Sequence, residues 1–192
     1  GEYAAHQVLH SHVTAASVPG VGFQLKQHQF AWAQEREIAG ITWTFDPLVR
    51  RNCVFNFEKL GAIAVEYLPN FYGTMTDAIN AGDDSDRLFA YWPVQESLSN
   101  EITKTSVVAL KNQTGAPASQ GFDDTKAFWV ELPEDIEALR KSDLDLARKW
   151  RKAVREVLKP ALDDGWFISA VNQDRTAILV EPPTSDYEFS ED

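Results

Sequence analysis

QVLHSHVTAASVPGVGFQLKQHQFAWAQER, residues 7–36, reads as a strand, a short glycine turn and a helix. Over 7–16, Val8, His10 and His12 share one face of an extended chain, and Leu9, Ser11 and Val13 share the other. From 21 to 36, Val21, Leu25, His28 or Gln29, Trp32 and Ala33 recur at three- and four-residue steps, the spacing of one helix face. Gly20 and Gly22 permit a tight turn and a close approach of the backbone to a ligand. A helix opening near Val21 would add unpaired N–H groups and the positive end of its dipole, so phosphate or pyrophosphate is the natural occupant. Glycine pairs at strand–helix turns also serve as ordinary tight turns.

Outward from this unit, Gly40 ends the helical element, and ITWTF (41–45) reads as a buried strand closing at Asp46-Pro47. A helix follows over 48–60 and stops at Gly61, a position suited to a left-handed cap. AIAVEYL (62–68) is a strand running into the loop PNFYG, and DRLFAYWPV (86–94) is another after the polar loop AGDDSD. This order of strands and helices implies a mixed sheet with helices packed on it, an α/β (α+β) fold. QESLSNEIT (95–103) is polar and linker-like. The expected organisation is a core over 1–96, an α+β extension over 97–184 and an acidic tail over 185–192. In the extension, strands are expected at 105–110 and 127–132, separated by the loop NQTGAPASQGFDD. PEDIEAL begins a short helix, with Pro133 early and acids in the first turn. In 143–162, Leu144, Ala147, Trp150, Val154, Val157, Leu158 and Ala161 form one apolar stripe opposite a charged face, and Pro160 should bend or end the last turn. WFISAV and TAILVEP read as a closing hairpin.

The 192 residues are 44% hydrophobic and include six Trp and eleven Phe, enough for a sizeable core. A formal charge of −11 argues against general nucleic-acid binding, which needs a basic footprint. Four of those charges come from the final DYEFSED, so the body is less acidic than the total suggests. The single cysteine, Cys53, rules out an internal disulfide and sits in an apolar helical stretch that suits packing. No apolar run approaches the roughly 18 residues of a membrane span, and no signal-peptide pattern opens the sequence; a cytoplasmic protein without membrane contact is expected.

Four stretches carry a more specific likeness: LHSHVTAA (9–16), ITWTFDPLVRRNCVFNFEKLGA (41–62), EYLPNFYGTMTDAIN (66–80) and SDRLFAYW (85–92). Together they resemble a bacterial branch of GNAT acyltransferases, members of which occur beside racemases acting on N-succinylamino acids. Residues 130–166 look like that branch's C-terminal extension. The resemblance implies a GNAT-like acyl-CoA N-acyltransferase fold with acetyl-CoA or another acyl-CoA as cosubstrate. It would place the pyrophosphate on Gly20, Val21, Gly22 and Phe23, and the pantetheine arm along Val13, Thr14 and Ala15. The chain departs from the pattern in three ways. Ser17 stands where Gln or Arg is usual, in a turn shortened and deprived of one amide by Pro19. Phe57 replaces a tyrosine that protonates the departing thiolate. Family members also carry about 80 to 100 earlier residues, so the N-terminal part of the fold is expected to be missing: a partner chain or second copy completes the sheet, the fold is a reduced one, or the chain is a fragment.

Acyl transfer to an amine needs a base, donors for the developing oxyanion and an acid for the thiolate. His12, and after it His10, is the candidate base. His28 lies on the helix and nearby carboxylates lack ligand spacing, so no metal is expected. Tyr72 in PNFYG is the candidate thiolate acid, with a structural tyrosine as the plain alternative. Asp46, at a strand end, either faces the acceptor or caps the following helix. Asn52, with Arg50 and Arg51, is a candidate for binding the carboxylate of the acceptor or acyl group. The expected reaction is direct attack of a small amine or amino acid on the thioester. The competing expectation is a non-catalytic, truncated relative that binds a partner or ligand.

Overall fold

Alternation along ITWTF sets the layers of the molecule. Ile41, Trp43 and Phe45 enter the main apolar cluster, so Thr42 and Thr44 face the other way. The computed structural model describes residues 7–11, 21–73, 83–95, 102–121 and 125–183. Its strands are β1 (Val8–His10), β2 (Gly40–Phe45), β3 (Ile63–Leu68), β4 (Arg87–Pro93), β5 (Val108–Gln113), β6 (Ala116–Ser119), β7 (Phe128–Glu131), β8 (Phe167–Val171) and β9 (Ala177–Glu181). They form one mixed sheet in the order β1-β2-β4-β3-β8-β9-β7-β5-β6. The pairs β1–β2 and β5–β7 are parallel and the remaining neighbours antiparallel. Strands from before and after the polar stretch 95–103 meet where Ala64 of β3 pairs with Ile168 of β8.

Four helices accompany the sheet: α1 (Val21–Gln34), α2 (Arg50–Cys53), α3 (Ile136–Ser142) and α4 (Leu144–Asp163). Alternate residues of the central strands share one apolar cluster with side chains of all four. On the opposite face the cluster is small, built from Ala127, Ala170 and Leu179 with Trp129 against them. The helices therefore lie on one side of the sheet. Within α4, Ala147, Trp150, Val154, Leu158 and Leu162 are buried, close to the expected stripe. Burying a Val or Leu side chain such as Val154, Leu158 or Leu162 stabilises by about 1.5–3 kcal/mol. Asp135 and Asp143 cap α3 and α4, each accepting backbone N–H bonds at the helix start. Among the described residues no helix is long and apolar enough to cross a membrane.

Several local expectations change. The 48–60 element is a short α-helix continuing into a π-helical turn, Val54–Leu60, before the left-handed cap at Gly61, φ 69°. The face of α1 is rotated from the expected stripe: Lys26 and Ala33 are buried, whereas Leu25 and Trp32 are exposed. Trp32 instead packs its ring against the Arg36 guanidinium, 4.2 Å from the centroid. Part of the loop expected at 112–124 is a hairpin: β5 and β6 turn through Thr114 and Gly115, both at positive φ. Pro117 is tolerated because β6 is an edge strand. Pro160 does not stop α4, which runs on to Asp163.

Candidate functional site

The described part of α1 opens at Val21, beside the stretch where the sequence suggested an anion cradle. Val21 and Gly22 are half-buried and Phe23 is exposed. A Cβ added to Gly22 would meet no atom within 4 Å. His12, Val13, Thr14, Ala15 and Gly20 lie outside the described residues, as do Ser17 and Pro19.

Below the start of α1, Lys26 reaches under the helix against β1 and β2. It is 3% exposed, and Nζ donates to Ser11 Oγ at 3.3 Å while standing 3.7 Å from the centroid of the Trp43 ring. Gln29 Nε2 donates to the same hydroxyl at 3.2 Å. Trp43 in turn donates through Nε1 to Asn56 Oδ1 at 3.1 Å, which orients the indole beneath the ammonium. Among the described residues no carboxylate lies within ion-pair distance of Lys26. Burial lowers its pKa from 10.5 to about 8. A hydroxyl and a π face thus hold the Lys26 ammonium, whose charge burial disfavours.

Asp46 is 8% exposed and belongs to a four-charge cluster. Arg151, 2% exposed, binds it in bidentate fashion, and Arg140 Nη2 donates to its Oδ2 at 2.6 Å. Asp83 accepts from both arginines, with contacts of 2.9 to 3.3 Å. Burial alone would raise the pKa of Asp46, but the charges and hydrogen bonds of Arg151 and Arg140 outweigh it and bring it down to about 2. Burial likewise opposes protonation of Arg151, and Asp46 and Asp83 more than reverse that. Asp46 does not cap a helix: its Oδ1 accepts from the Leu48 N–H at 2.9 Å, and the N-cap of α2 is Val49. Behind it, Cys53 is buried with Sγ directed at the Pro47 carbonyl, and burial pushes its thiol pKa up, leaving an inert packed sulfur.

A second network adjoins the first. Asp86, fully buried, accepts from Tyr67 Oη at 2.6 Å and from Arg155 through Nε and Nη2. Burial, then the Asp86 charge, raises the Tyr67 pKa, so the phenol stays protonated. Among the described residues no group of three or more His, Cys, Asp and Glu is arranged to hold a metal ion.

The other candidates are dispersed. Asn52 is half-buried on α2. Arg50 donates to the Leu132 carbonyl, and Arg51 forms an ion pair with Glu137. Tyr72 is 47% exposed in the loop after β3; its N–H donates to Ser85 Oγ and its ring lies 4.9 Å from the Arg87 guanidinium. His10 is exposed at the sheet edge, its Nδ1 3.0 Å from Thr42 Oγ1 and its ring stacked on Phe89. Phe57 is buried and packs edge-on against Phe45, with no proton to donate.

Asp46 was thus singled out in sequence without its partners. Arg151 follows Trp150 directly and borders the apolar stripe, which was the available signal for its burial. AGDDSD gave no such signal, because acidic loops are normally solvated. Comparison with known protein families, curated proteins and solved structures found no match.

Proposed function

We propose that the chain is an acyl-CoA-dependent N-acyltransferase of GNAT type, acting on a small amine or amino acid by direct attack on the thioester. The observation that carries this reading is the parallel pair β1–β2 joined through α1, with open space around Gly22, next to the glycine turn that the sequence leads one to expect. Such a turn binds pyrophosphate through backbone donors and needs no excess of lysine, which suits an acidic chain. Strand β4 lies antiparallel beside β2. No soft nucleophile is available in Cys53, in keeping with direct attack. Acetyl-CoA and succinyl-CoA at millimolar concentration should raise the melting temperature by mass action on the folded state, and amines should then release free thiol. No thermal shift with either ester removes the proposal.

A second reading has its own observation: the position expected to supply the thiolate's proton is a buried phenylalanine, Phe57. In that reading the chain binds a CoA ester or a partner chain without turnover. Thermal stabilisation with no thiol release across an amine panel would decide for it.

A further inference from the structure

Nearly every arginine of this chain is matched to a carboxylate. Arg36, Arg51, Arg140, Arg148, Arg151, Arg155 and Arg175 each form an ion pair. Arg50 donates through Nη2 to the Leu132 carbonyl and feels the charges of Glu134 and Glu131, while its buried Nε has no hydrogen-bond partner. Arg87 stands apart. It is half-buried, donates through Nη1 to the carbonyl of its neighbour Asp86 at 2.8 Å, and lies over the Tyr72 ring. Among the described residues it has no carboxylate within ion-pair distance. In so acidic a chain, an arginine fixed by an aromatic ring and a carbonyl keeps donors for an anion from outside.

Its surroundings define what else such a ligand would touch. Arg87, Phe89 and Tyr91 alternate along β4 on the face opposite the helices, because Leu88, Ala90 and Trp92 supply the main cluster. Tyr91 pairs with Thr42, and His10 pairs with Thr42 from the other side, so all three share this face. The His10 ring lies parallel to Phe89 at 6.1 Å between centroids, tilted by only 10°. His10 is exposed, and Phe89, Tyr91 and Arg87 are half-buried. The row therefore runs from a guanidinium, across an aromatic surface, to an imidazole. Arg87 and Phe89 are two positions apart on a strand, a span of about 7 Å, which is the scale of a small amino acid.

We infer that this face of the sheet binds a small amino acid, with its carboxylate on Arg87, its apolar body on Phe89 and its amino group toward His10. The inference rests on the acyltransferase reading for the fate of the amine, and stands without it for the binding.

The test is proton NMR of the His10 imidazole, assigned with His10→Gln, during titration with glycine, L-leucine, L-phenylalanine, L-glutamate and the methyl ester of each. At least one free acid should shift the His10 resonance with saturation, and its ester should bind at least tenfold more weakly. Arg87→Gln should weaken the acid to the level of the ester, and Arg87→Lys should restore part of the loss. The inference is overturned if acid and ester bind alike, if Arg87→Gln binds as wild type does, or if no compound moves the resonance. Should Arg87→Gln fail to fold, the acid–ester comparison and Arg87→Lys still decide. Amino-acid binding without any thermal shift from CoA esters would keep this site and remove acyl transfer; the reverse result would remove this site alone.

Discussion

Arg151 and Asp46 meet as a bidentate pair, Nη1 to Oδ1 at 2.9 Å and Nη2 to Oδ2 at 3.0 Å, across 105 positions of sequence. The pair ties α4 to the end of β2. Removing one member leaves a buried charge without its partner, so Arg151→Met should cost about 3–5 kcal/mol in urea unfolding. The double change Arg151→Met with Asp46→Leu should recover most of that, because Asp83 and Arg140 remain to pair with each other. A loss below about 1 kcal/mol for the single change would mean that water reaches the pair.

The same carboxylate makes an acid-sensitive element. The pKa of Asp46 is about 2 when folded against an ordinary 3.8, so folding favours its ionised form. Its contribution is complete above about pH 4 and disappears as the pH falls through about 2. Asp46→Asn should flatten this part of the stability profile, read as urea midpoints between pH 5 and pH 2. A variant profile parallel to wild type would contradict the assignment.

Lys26 behaves in the opposite sense. Its pKa falls from 10.5 to about 8 on folding, so below pH 8 the folded state carries a charge that burial disfavours. Stability from this group should rise as the pH climbs from about 8 toward 10.5, where only the unfolded chain still holds the proton. Lys26→Met should therefore stabilise the protein at pH 7 by on the order of 1–2 kcal/mol, an advantage that shrinks as the pH rises from about 8 to 10.5. Chemical unfolding of both proteins across this range checks the sign.

Gly40 leaves room for a ring. A Cβ at this position would collide with Cε2, Cζ and the hydroxyl of Tyr91. Gly40→Ala should cost about 1–3 kcal/mol through overpacking, and adding Tyr91→Ala should return much of the loss. Thermal unfolding of the single and double variants measures the coupling. Equal losses in both would show that backbone conformation, and not the ring, demands glycine.

Much of this architecture could be read along the chain because local patterns agree with it. ITWTF alternates as a strand must, Gly61 takes the left-handed cap, and the stripe from Ala147 to Leu158 is the buried face of α4. What escaped depends on distant partners. A buried Lys26 looks in sequence like any lysine that extends its stem along an apolar surface and keeps its amine in water. Asp83 and Asp86 look like loop acids until Arg140, Arg151 and Arg155 are folded onto them. Phe89 and Arg87 look like strand residues, and only the arrival of His10 beside Phe89 gives that face a chemical direction.

The arrangement of charges also bears on how the protein is made. Asp46 and Asp83 leave the ribosome well before Arg140 and Arg151, the cations that compensate them. Until those arrive, the early strands hold carboxylates that cannot enter a dry interior, so the front of the sheet stays hydrated and unsettled while translation continues. Helix α4, which emerges after β2, carries the countercharge that lets the end of β2 close, and a chain stalled before it should remain a chaperone client.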